Sequence, residues 1–65
     1  MLRLSKKRVL ILLGERGMRQ KDLAERMGVI PNNLSVLLNR RSVYPATAAK
    51  IASALNVSVE EILED

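Results

Sequence analysis

The feature that most constrains the fold is a three-residue connector, Gly28-Val29-Ile30, between two stretches whose apolar residues recur at helical spacing. Its glycine is suited to the left-handed end of one helix, and Pro31 is suited to the first position of the next. A connector this short forces the two helices to cross steeply. Because such a pair cannot bury both of its apolar stripes alone, the rest of the chain must complete the core.

Apolar periodicity and helix-ending residues divide the chain into five predicted helices, with no repeat and no convincing strand alternation. Ser5 is suited to cap the first helix and Gly17 to end it, while Ser58 and Glu61 have the spacing of a capping box. We therefore expect an all-α fold, a single domain over residues 1–65, with helices at about 5–16, 19–27, 31–39, from 45 and from 58.

The third predicted helix has two different sides. Leu34, Leu37 and Leu38 form an i, i+3, i+4 stripe that is expected to face the core. The residues on the opposite side of the helical wheel are Asn32, Ser35, Val36 and Asn39. The other helices can complete the core without this second side, so it is left free for a partner.

Charge is unevenly distributed along the chain. Residues 1–50 contain all eleven basic residues and three of the seven acidic ones, a net charge of +8, whereas residues 51–65 carry −4. The acidic residues of this end are Glu60, Glu61, Glu64 and Asp65. A basic body with an acidic end favours a polyanion on one face, although a solvated surface without a partner explains the charge equally well.

The composition excludes several kinds of chemistry. The chain has no cysteine and no histidine, which excludes disulfides, thiolate or imidazole metal sites and Cys/His or Ser/His nucleophiles. We expect no cofactor, no metal and no enzymatic activity, since the adjacent Glu60 and Glu61 fit helix electrostatics better than acid/base catalysis. No apolar run approaches the roughly 18 residues of a membrane span, so we expect a cytoplasmic location without membrane contact.

Residues 19–63, RQKDLAERMGVIPNNLSVLLNRRSVYPATAAKIASALNVSVEEIL, resemble the helix-turn-helix domain of the lambdoid phage repressors, the Cro proteins and their bacterial relatives, often called the xenobiotic-response-element type. The positions that follow the family's spacing without a gap are Gln20, Leu23-Ala24, Gly28-Val29, Leu34, Leu37, Asn39, Pro45 and the segment 51–63. The resemblance implies a five-helix domain and a dimer that places the third helix of each protomer in successive major grooves of double-stranded DNA, about 34 Å apart.

The resemblance also implies residue roles. The family's base-reading positions are occupied by Pro31, Asn32, Ser35 and Val36. The residues expected near phosphates are Gln20, Asn39, Arg40 and Arg41, with Arg19, Lys21 and Asn33 beside them. Each of these polar residues also fits a helix start or a solvated surface without DNA.

Two of the base-reading positions have a defined chemistry. Asn32 can offer adenine a paired contact to N6 and N7, which is worth about 1 to 3 kcal/mol of discrimination. Val36 can offer only an apolar contact, which suits the methyl group of thymine. The pair therefore predicts a preference for A·T base pairs.

Three features depart from the family's pattern. Ile30 stands where a Ser or Thr usually caps the third helix. The missing side-chain cap should lower the stability of the helix by about 1 kcal/mol. Arg40 replaces the usual glycine after Asn39, which predicts that Asn39 itself adopts the left-handed conformation. Leu13 and Leu38 replace an Arg and a Glu that face one another in many relatives, so we expect the two leucines to pack together.

Several apolar residues exceed the needs of a five-helix core: Leu2, Leu4, Leu10, Ile11, Val43 and Tyr44. They form either a contact surface or a cover over a gap in the small core. In the resembling family, the segment equivalent to residues 57–60 often lies at the dimer interface. The candidate dimer or partner surface therefore includes Leu10, Ile11, Val57, Val59 and Glu60.

Together these features predict a sequence-specific transcriptional regulator of the phage repressor and Cro type, which binds an operator as a homodimer. Two alternatives stay open. One is an antitoxin or accessory subunit that binds a partner protein, and the other is an adaptor domain that has lost base reading.

Overall fold

The computed structural model describes residues 1–64, so Asp65, the last acidic residue of the chain, lies outside the described residues. In chain order the elements are β1 (Leu2–Arg3), α1 (Lys6–Glu15), α2 (Gln20–Met27), α3 (Pro31–Arg40), β2 (Ser42–Val43), α4 (Pro45–Leu55) and a 3-10 helix (Val59–Ile62). None of the helices within residues 1–64 has the length and apolarity needed to cross a membrane.

The helix ends follow the local chemistry of the sequence. Ser5 caps α1, because its Oγ accepts a hydrogen bond from the Arg8 amide at 3.2 Å. Gly17 and Gly28 have φ angles of 64° and 72°, the left-handed conformation that ends α1 and α2. The boundaries predicted for the first three helices therefore agree with the structure to within one residue at each end.

The fifth predicted helix is wrong in kind, since it is a single 3-10 turn of four residues. Its predicted capping chemistry is confirmed, because Glu61 Oε2 accepts a hydrogen bond from the Ser58 amide at 2.9 Å. The turn does not continue because Leu63 is extended and pairs with Leu4 in a β-bridge. Pairing with the amino-terminal segment thus competes with further helix at this point.

A two-stranded antiparallel sheet, which the sequence did not predict, holds the amino terminus. Leu2 pairs with Val43 and Arg3 with Ser42. Strands of two residues are too short to show an alternating pattern, so periodicity cannot reveal them. The sheet places residues 1–5 between the segment that follows α3 and the carboxyl-terminal residues, where Glu64 donates its amide to the Arg3 carbonyl at 2.9 Å.

Within residues 1–64, the core is one cluster of thirteen buried residues. They are Leu4, Val9, Leu13, Leu23, Ala24, Leu34, Leu38, Val43, Ala48, Ile51, Ala52, Leu55 and Ile62. Leu4 and Val43 are therefore core residues that complete a small interior, whereas Leu10, Ile11 and Tyr44 stay exposed. Leu13 and Leu38 are both buried in this cluster, as the sequence predicted.

Candidate nucleic-acid interface

The two sides of α3 differ sharply in exposure. Leu34 and Leu38 have no exposed surface, and Leu37 is half-buried against the core. On the other side, Asn32 is exposed, Ser35 is half-buried and Val36 is 55% exposed. The polar side chains of Asn32 and Asn33 make no hydrogen bond within residues 1–64. The outer side of α3 is thus available to a partner.

The start of α3 offers one free backbone donor. Ile30 provides no side-chain cap, and its carbonyl accepts from the amides of Asn33 and Leu34 at 2.9 and 3.2 Å. Pro31 has no amide hydrogen. Among the described residues, the Asn32 amide is therefore left without an intramolecular partner in the first turn, beside the exposed Asn32 side chain.

The start of α2 is capped by Asp22, a role that was not predicted from the sequence. Asp22 Oδ2 accepts a hydrogen bond from the Arg19 amide at 2.9 Å. Arg19 and Lys21 are exposed, and Gln20 is half-buried. The carboxylate of Asp22 occupies part of the helix start expected to attract an anion, so phosphate binding here depends on the side chains around it. The spacing Arg19-x-x-Asp22 was the available signal.

The end of α3 corrects one prediction. Asn39 is helical, and Arg41, with φ of 67°, adopts the left-handed conformation predicted for Asn39. The bend is set further along the chain by the sheet, since Ser42 pairs with Arg3 and the Arg41 carbonyl accepts a hydrogen bond from the Leu4 amide. The Arg41 backbone is held on both sides of the bend while its side chain stays exposed.

α1 contributes a basic residue to this end of α3. Lys6 Nζ donates a hydrogen bond to Asn39 Oδ1 at 2.7 Å. Arg40 and Arg41, which follow Asn39 directly, are exposed. The end of α3 therefore has three basic side chains and the side-chain amide of Asn39. We call these four residues the basic cluster (Lys6, Asn39, Arg40 and Arg41). An arrangement of this kind matches the negative charge and hydrogen-bond acceptors of a phosphate backbone.

Residues 8–65 match the family model of the Cro/C1-type HTH DNA-binding domain. This match covers most of the chain and includes both α2 and α3. The chain belongs to the Cro/C1-type helix-turn-helix family. No curated protein and no solved structure matched the chain.

Lys6 lies outside the matched segment of this Cro/C1-type domain and was missed by sequence reasoning. It is three residues before buried Val9, so helical spacing places it toward the packed side of α1. That spacing was the only signal in the sequence. Contact with Asn39, 33 positions along the chain, depends on how α1 and α3 pack.

The acidic end of the domain is not fully separated from the basic body. Arg3 Nε lies 3.0 Å from Glu64 Oε2, so the amino-terminal strand joins a basic and an acidic side chain. Glu60 and Glu61 are exposed on the 3-10 turn. Arg3 thus has an acidic partner within the chain. The cations beside the outer side of α3 are those of the basic cluster.

The residues of the candidate dimer or partner surface fall into two groups in this Cro/C1-type domain. Leu10 and Ile11 on α1 are 40% and 50% exposed. Val57 and Val59 are half-buried and pack against the core, with Glu60 exposed beside them. The largest accessible apolar side chains among these candidates are therefore on α1.

Proposed function

We propose that this protein is a sequence-specific transcriptional regulator that binds operator DNA as a homodimer, with α3 of each protomer in the major groove. The observation that carries the proposal is the free outer side of α3 directly beside the basic cluster. A helix of this width fits the major groove, and cations at its end fit the flanking phosphates. A cytoplasmic location is part of the proposal.

Base reading is assigned to the outer side of α3. Asn32, whose side chain has no competing partner within residues 1–64, would make the paired contact to adenine N6 and N7. Val36 would contact the thymine methyl group, with Pro31 and Ser35 completing the surface. We therefore propose an operator whose half-sites contain A·T pairs at the positions that face Asn32 and Val36.

Phosphate binding is assigned to both ends of the helix pair. The proposed contacts are Gln20, Arg19, Lys21 and Asn33 at one end and Lys6, Asn39, Arg40 and Arg41 at the other. These contacts fix the register of α3 on the duplex but do not read sequence. Bound in this way, two protomers would occlude the operator and exclude polymerase, which is repression by steric competition.

The proposal assigns no enzymatic activity. Glu61, one of the two adjacent carboxylates on the 3-10 turn, already accepts a hydrogen bond from the Ser58 amide at 2.9 Å. Capping explains its position without acid/base chemistry.

Selection of bound duplexes from a random DNA pool at near-physiological salt tests the proposal. We expect enrichment of a palindrome whose half-sites are about one helical turn apart, because a twofold dimer presents two copies of α3 at that spacing. Binding that enriches no sequence and disappears as salt rises would contradict it, since only phosphate attraction would remain.

The Asn32→Ala substitution is expected to relax the base preference at one position of each half-site. Removing one paired base contact should reduce discrimination there by about 1 to 3 kcal/mol. Binding of the selected duplex and of single-base variants measures this. Asn33→Ala on the same turn is the comparison, because a phosphate contact should weaken binding of all duplexes alike. Equal loss at every position would show that Asn32 contacts the backbone and not a base.

Lys6→Ala is expected to weaken binding of all sequences alike. It removes a cation beside α3 and the hydrogen bond that orients the Asn39 side-chain amide. The slope of log K against log salt concentration should therefore become less negative by about one for each protomer bound. Lys50→Ala is the control, because Lys50 is an exposed lysine that lies beside Arg26 in a groove between α2 and α4, away from the basic cluster. An unchanged salt slope for Lys6→Ala would exclude it from the interface.

A second candidate function rests on exposed apolar residues. Ile11 and Tyr44 are 50% and 67% exposed, so both side chains are available to a protein partner. We infer that an antitoxin or accessory subunit, which binds both DNA and a protein partner, is the alternative. A small protein that co-purifies with the native chain in fixed proportion would favour it, and a chain that purifies alone would favour the regulator.

A further inference from the structure

We propose that the exposed side of α1 binds the same side of α1 in a second copy of this chain, as an antiparallel helix pair. The inference deepens the proposed function, because it names the surface that joins two protomers. It rests on three features of α1: an unpartnered stripe, a glycine that the single chain does not need, and charges that complement each other only in the antiparallel arrangement.

The exposed stripe has the spacing of a helix-packing surface. Lys7, Leu10, Ile11, Gly14 and Glu15 occupy positions i, i+3, i+4, i+7 and i+8 of α1, and all five are exposed. Val9 and Leu13 already supply the buried side of this helix. Thus α1 has a second helix-packing surface that nothing covers within residues 1–64.

Gly14 has no role in the single chain that the structure reveals. Its φ is not positive, and a Cβ added at this position would meet no atom of residues 1–64 within 4 Å. Glycine inside a helix is nevertheless less stable than alanine there. A second helix that approaches closely at this point explains why the side chain is absent, because small residues at a crossing let two backbones come together.

The charges at the two ends of the stripe specify the direction of the pair. Ile11 lies four residues after Lys7 and four residues before Glu15. When two copies of α1 cross at Ile11 in antiparallel order, Lys7 of each copy lies opposite Glu15 of the other. A parallel pair would place like charges together. The Glu15 carboxylate is available, since its only ion pair among the described residues is a 3.9 Å contact with the neighbouring Arg16.

The pair is expected to be weak in free solution. A ten-residue helix is only about 15 Å long, which covers less than the roughly 800 Å² per partner of a stable interface. Self-association should therefore be detectable at high protein concentration and should not require DNA. All tests below are made without DNA, so their failure is distinct from failure of operator binding.

Disulfide trapping is the first test, since the chain has no cysteine of its own. Ile11→Cys places one thiol at the centre of the crossing, where it faces its own copy. Helices in close contact bring facing Cα atoms within the roughly 4.4 to 6.8 Å that a disulfide spans. We expect covalent dimers to form at least tenfold faster than for Ser53→Cys, an exposed control on α4. Equal rates would overturn the proposal.

Charge reversal tests the direction of the pair. By sedimentation over a concentration range, Lys7→Glu and Glu15→Lys should each weaken self-association severalfold, and the two together should restore it. A double variant no better than the single ones would overturn the antiparallel register.

Gly14→Ala separates an interface from a structural role, because it should change stability and association in opposite directions. The midpoint of thermal unfolding in dilute solution should rise by roughly 2 to 8 °C, while self-association weakens about tenfold. Unchanged association would overturn the close approach. If the cysteine and charge variants also fail while DNA selection still yields a palindrome, the protomers join elsewhere and only this inference falls.

Discussion

Replacing Arg41 with glycine is expected to stabilise the fold and to weaken DNA binding at the same time. Arg41 has a φ of 67°, a conformation that disfavours any side chain with a Cβ, so glycine should raise the free energy of unfolding by about 1 kcal/mol. The same change removes an exposed guanidinium from the basic cluster. Loss of a charged hydrogen bond of about 1.5 to 3 kcal/mol should reduce the affinity for all sequences roughly tenfold or more.

Urea unfolding and salt-dependent DNA binding measure the two effects separately. Arg41→Ala should lose the same affinity as Arg41→Gly but gain no stability, because alanine retains the Cβ. Asn56→Gly is the control at a second left-handed side chain, with φ of 59° at the end of α4, and it should leave DNA binding unchanged. If Arg41→Gly binds DNA as tightly as the wild type, the basic cluster does not contact phosphate through this residue.

Leu34→Ala is expected to unfold much of the protein population. Leu34 has no exposed surface and belongs to the buried cluster that holds α3 in place. Truncation of a buried leucine lowers the free energy of unfolding by about 2 to 5 kcal/mol. A chain of this length has only about 3 to 10 kcal/mol in total. Specific and nonspecific DNA binding should therefore be lost together.

Val36→Ala is the matched control for Leu34→Ala, since it truncates an apolar side chain on the opposite side of the same helix. Val36 is 55% exposed, so its loss should change the free energy of unfolding by less than about 0.5 kcal/mol. Circular dichroism during urea unfolding compares the two variants. A large loss of stability in Val36→Ala would mean that the outer side of α3 is packed in solution, which is incompatible with groove binding.

Much of this fold could be predicted because its helix signals are local. Ser5, Gly17 and Gly28 mark helix ends through their own backbone and side-chain chemistry, which depends on residues a few positions away. The buried residues of α4, Ala48, Ile51, Ala52 and Leu55, follow the same helical period. The outer side of α3 followed from the same reasoning, as the complement of the buried stripe.

The errors all involve pairing between distant segments. The fifth helix shortens to a 3-10 turn because Leu63 pairs with Leu4, and the left-handed bend moves from Asn39 to Arg41 because β1 pairs with β2. These strands have two residues each, so no periodic signal announces them. The role of Leu4 as a fully buried residue depends on the same pairing.

By itself, the sequence determined where α1, α2 and α3 begin and end, where α4 begins, which side of α3 is buried and the short connector between α2 and α3, since helical period and capping act over a few residues. Only the tertiary structure decided that Lys6 contacts Asn39, that Arg41 takes the bend after α3 and that Leu4 and Val43 are buried in the core. Those outcomes depend on which distant segments come together. Local chemistry contains no information about that choice.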